Sequence, residues 1–62
     1  MVEAGQLRRW SREAGSDCGK LFLVIHIPRP ELGAVHWDIL QDGEIKNWST
    51  NVLNSYSEVV DG

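Results

Sequence analysis

In several stretches of the chain, apolar and polar residues alternate at every second position, the pattern of a half-buried strand. Ala34 to Gln41 is the clearest case, with Val35, Trp37 and Ile39 on one face and His36 and Asp38 on the other. Asp42-Gly43 follows directly. This pair accepts the positive φ angles of a type I′ turn, so the chain is predicted to reverse there and return as Glu44 to Ser49. Within the returning arm Ile45 and Trp48 differ in parity, which calls for a bulge or an outward-facing Trp48. Lys20 to Ile27 is β-branched and aromatic-rich between Gly19 and Pro28, and reads as a strand buried on both faces. Pro28 offers no N–H and Pro30 follows, so residues 28–33 are predicted as a loop. Gly5 to Trp10 reads as the first strand and Ser11 to Cys18 as a polar loop. Leu7, Trp10 and Ala14 also fit a helical stripe, but Gly5 at its start and the lack of a cap favour the strand. Val52 to Ser55 is predicted as one helical turn capped by Ser49 or Thr50. Tyr56 to Val60 is then the last strand.

Five short strands in 62 residues form one domain, with a core expected over about residues 5–60. A flat sheet would leave both faces wet and both edges unpaired. The expected fold is therefore all-β, a five-stranded, partly open small barrel with one helical turn before the last strand. A chain of this size buries only about 60% of its unfolded surface, so packing or association must supplement a small core. The longest apolar run, Leu21 to Ile25, is far short of the roughly 20 residues that cross a bilayer. Glu3, Arg8, Arg9, Arg12 and Glu13 leave no room for the apolar core of a signal peptide. The single cysteine, Cys18, allows no internal disulfide. A cytoplasmic location is the resulting expectation.

The order of these pieces resembles the Src-homology-3-like (SH3-like) small barrels, and more narrowly the short barrel proteins of tailed bacteriophages, including those of cyanobacteria. The likeness rests on Gly5-x-Leu7-x-x-Trp10, on the hairpin Ile39-Leu40-Gln41-Asp42-Gly43-Glu44-Ile45-Lys46-Asn47-Trp48, and on Leu53 followed by Glu58-Val59-Val60. Gln41 stands near the place where that family usually carries an aromatic. The resemblance implies an SH3-like fold and a phage-encoded protein, acting as a virion component or as a binder of a host protein. It implies no catalytic residue.

Net charge is −3 and uneven. Residues 1–30 carry +2 and residues 31–62 carry −5, which permits self-association into a homo-oligomer. An acidic chain is unlike a typical nucleic-acid binder. The local exception is Arg8-Arg9-Trp10-Ser11-Arg12, which with Lys20 offers phosphate contacts and a stacking ring. Metal and nucleophile chemistry find little support. Cys18, His26, His36 and Asp38 would have to converge, His36 and Asp38 being the pair on one strand face. No cofactor is expected. Four of the five aromatics are Trp10, Trp37, Trp48 and Tyr56. Trp37 is assigned to the core, and Trp10, Trp48 and Tyr56 to a groove for a protein partner. The expected function is a non-enzymatic protein–protein interaction module, with small-nucleic-acid-binding protein as the alternative.

Overall fold

A type I′ turn organises the middle of the chain. In the computed structural model, which describes residues 2–27 and 36–60, Asp42 and Gly43 adopt φ of 54° and 77°. Only residues that tolerate positive φ can stand there. The turn joins β3 (His36–Gln41) to β4 (Glu44–Ser49). Their register runs unbroken from Gln41↔Glu44 to His36↔Ser49. β1 (Leu7–Trp10), β2 (Leu21–His26) and β5 (Ser57–Val59) complete one antiparallel sheet in the order β4-β3-β2-β1-β5. The last strand thus returns beside the first. No pairing of β4 with β5 closes the sheet among the described residues.

The segment expected as a polar loop after β1 is more ordered than that. Arg12–Asp17 makes two 3-10 turns that meet at Gly15, with φ of 69° and ψ of −125°. The predicted helical turn is longer than expected. α1 (Thr50–Tyr56) takes in Tyr56, which had been assigned to the last strand. Ser49 is its N-cap, its hydroxyl accepting the Val52 N–H at 3.1 Å. The predicted loop at residues 28–33, and Val35 in the alternation before the turn, lie outside the described residues.

α1 lays Leu53 on one face of the sheet. There Val2, Trp10, Phe22, Val24, Ile39 and Leu53 form the buried core, with Ala14, Trp37 and Val52 packed against it. β2 is therefore buried on one face, contrary to the two-faced burial expected from its apolar run. Phe22 and Val24 point inward, while Leu21 and Leu23 remain exposed. Neither the bulge nor the outward-facing Trp48 expected in β4 is found; the bulge lies in β2, between Val24 and His26. It absorbs Ile25, so that His26 rather than Ile25 stands opposite Asp38. In β4 the outward residue is Ile45, 60% exposed. Trp48 pairs with Trp37 and shares the inner face.

Candidate aromatic groove

Trp10 is the pivot of the site. As an inner-face residue of β1 it is buried, its ring 4.6 Å from that of Phe22. Its indole N–H donates to Gln41 Oε1 at 2.7 Å, and Gln41 Nε2 donates to Asp17 Oδ1 at 3.3 Å. Gln41 is itself buried, and it supplies the hydrogen bond that a buried indole requires. Trp48 crosses the Trp10 ring edge-on, at 76° and 6.0 Å between centroids. Such a T-shaped contact favours the pair by about 0.5–1.5 kcal/mol beyond area burial.

Around this pair the chain leaves a depression of about 220 Å³. Trp10 forms its floor, Trp48 and Tyr56 its aromatic walls, and Val52 and Ala14 its aliphatic ones. Glu13 and Asp17 also line it, the Asp17 carboxylate already engaged by Gln41 and by Lys20 at 3.8 Å. Trp48 and Tyr56 are 39% and 41% exposed, so both keep open ring surface. The wall made by α1 is pinned to β1. The carbonyl of Tyr56 accepts both the Ser11 N–H at 2.7 Å and the Ser11 hydroxyl at 2.9 Å. The structure thus brings together Trp10, Trp48 and Tyr56, the residues the sequence had grouped. Glu13 and Asp17 are not legible as members of the site, because Ser11 to Cys18 reads only as a polar loop. Trp37 lies apart from the depression, half-buried against the core with its indole N–H donating to Thr50 Oγ1 at 2.8 Å.

The basic residues do not gather in the same way. Arg8, expected among the nucleic-acid contacts, is only 3% exposed, which overturns that expectation for it. Its Nε donates to Ser57 Oγ at 2.9 Å, Nη1 to Gln6 Oε1 at 2.9 Å, and Nη2 to the carbonyls of Leu53 and Ser57. Ser57 Oγ in turn donates a short hydrogen bond to the Leu53 carbonyl. Burial lowers the Arg8 pKa from its ordinary value through desolvation. Arg9, one residue on, faces the opposite side of the sheet and pairs with Glu58 at 3.2 Å. Lys20 pairs with Asp42 at 3.2 Å. Arg12 is exposed on the 3-10 segment.

Asp38 pairs with His26 across the strands at 3.4 Å, and not with His36 as its strand parity suggested. Asn47 Nδ2 donates to the other Asp38 oxygen at 3.1 Å. Cys18 is exposed and free. Among the described residues no three acidic, histidine or cysteine side chains are grouped to hold a metal ion. Among them, too, no helix is long and apolar enough to cross a membrane. No family model matches the sequence, and neither curated proteins nor solved structures gave a match.

Proposed function

We propose that this chain is a non-enzymatic protein-interaction module on an SH3-like small barrel, and that it holds an extended peptide in the groove of Trp10, Trp48 and Tyr56. One observation carries the reading: three aromatic rings line a single open depression together with Glu13 and Asp17. Aromatic rings with open surface suit the ridged, preformed surface of a proline-rich segment. The Glu13 carboxylate beside them suits an arginine or lysine in the same segment, which also gains from lying over a ring face. The strand order, with β5 beside β1 and a helix before β5, is compatible with the barrel reading. In the phage setting that the sequence resemblance implies, the peptide belongs to a virion or host protein.

Titration with a proline-rich peptide containing arginine tests the proposal. The Trp48 indole and Tyr56 ring resonances are expected to shift in a saturable way. Trp48→Ala should weaken binding by about tenfold, with the circular dichroism spectrum unchanged. Absence of any shift at millimolar peptide overturns the groove reading. Affinity for a short DNA strand that collapses with added salt would favour the alternative, carried by Arg9, Arg12 and Lys20.

A further inference from the structure

The groove uses one side of the sheet. On the other side, Leu7, Leu23, Leu40 and Ile45 are direct cross-strand neighbours, so one aliphatic row runs across β1, β2, β3 and β4. Leu21 extends the apolar surface along β2. These side chains are 39–60% exposed. Together they open on the order of 400 Å² of apolar surface, as large as the biggest patch on a typical monomer. The row is bounded at one end by the Arg9–Glu58 pair and at the other by His26, Asp38 and Asn47. Each charge on the face therefore already has an opposite or polar neighbour.

We infer that this face is a docking surface for a second copy of the same chain, packed sheet against sheet about a two-fold axis. Charge decides the occupant. A strongly acidic or basic partner finds the charges here already balanced, whereas a second copy brings an equally balanced face. The row is also self-complementary. An axis parallel to the strands and between β2 and β3 lays Leu23 on the partner's Leu40 and Leu7 on the partner's Ile45. The same operation brings His26, cationic when protonated, over the partner's Asp38 carboxylate. Aligned sheets pack in this manner at about 10 Å separation. The apolar row supplies about half of the ~800 Å² that each partner buries in a standard interface. The dimer is accordingly weak and concentration-dependent, and it adds apolar burial to a domain with a small core of its own.

Sedimentation equilibrium from about 10 μM to about 1 mM tests this inference. The unaltered chain is expected to pass from monomer to dimer across that range. Leu23→Lys and Leu40→Glu should each raise the dissociation constant by more than about tenfold, since each buries an unpaired charge twice per dimer. An equimolar mixture of the two variants should dimerise again, because the introduced charges then face each other across the axis. Should either variant unfold, Ile45→Glu on edge strand β4 replaces it and must also weaken the dimer. Peptide binding in the groove should survive all of these changes, so failure here is separate from failure of the groove reading. An unaltered chain that stays monomeric at 1 mM, or a dimer indifferent to Leu23→Lys and Leu40→Glu, overturns the proposal.

Discussion

The two faces of the sheet invert the usual division of labour. The inner face buries an arginine and a glutamine among its aromatic residues, while the outer face leaves a row of leucines in water. Adjacent residues make the contrast concrete. Arg8 and Arg9 are chemically identical and one position apart, yet the strand pleat turns one into a fully bonded interior strut and the other into half of an exposed ion pair. Burial here follows parity within the strand more than it follows the hydrophobicity of the residue. A polar side chain is tolerated inside because its hydrogen bonds are made, which avoids about 1–3 kcal/mol for each orphaned group.

Truncations should expose this asymmetry most strongly at the neighbours Phe22 and Leu23. Phe22→Ala opens a cavity under Trp10 and is expected to cost about 3–5 kcal/mol in urea unfolding of the monomer. Leu23→Ala, on the outer face, should cost only about 1 kcal/mol at the same low concentration. Equal losses at the two sites would erase the distinction between the faces. Arg8→Met keeps an unbranched apolar stem but removes the guanidinium and abandons the acceptors at Ser57, Gln6 and Leu53. A loss of about 1–3 kcal/mol is expected, with Arg8→Lys recovering only part of it because an ammonium cannot span the same fork. A neutral result would mean that the strut is dispensable. Arg9→Ala lies at the bottom of the scale. Removing its exposed pair with Glu58 should cost no more than about 0.5 kcal/mol, and the effect should fade as salt is added.

Much of the strand plan was legible because it is written locally. Asp42-Gly43 specifies its own turn, and the Val35-Trp37-Ile39 alternation specifies which side of β3 faces the core. The burial of Arg8 could not be read in the same way, because its partner Ser57 lies 49 positions away. In β2, a run of consecutive apolar residues hides the period, so Leu21 and Leu23 looked as buried as Phe22 and Val24. The bulge at Ile25 left no mark for the same reason, and with it went the pairing of His26 with Asp38. Of the groove, Trp48 and Tyr56 are legible as rings that a small core does not fully absorb, whereas Trp10 belongs to that core. Glu13 and Asp17 became part of it only through the two turns around Gly15, which no periodicity announces.

The pairing of β1 with β5 also governs the order in which this molecule can assemble. Arg8 lies 49 positions before Ser57, and its guanidinium stays with water until that strand is in place. The β3–β4 arm, joined by Asp42-Gly43 alone, is the pairing of shortest sequence separation, and β1 with β5 the longest. Native folding therefore awaits β5, and shortening the chain before Ser57 should leave a collapsed product in place of a smaller native one.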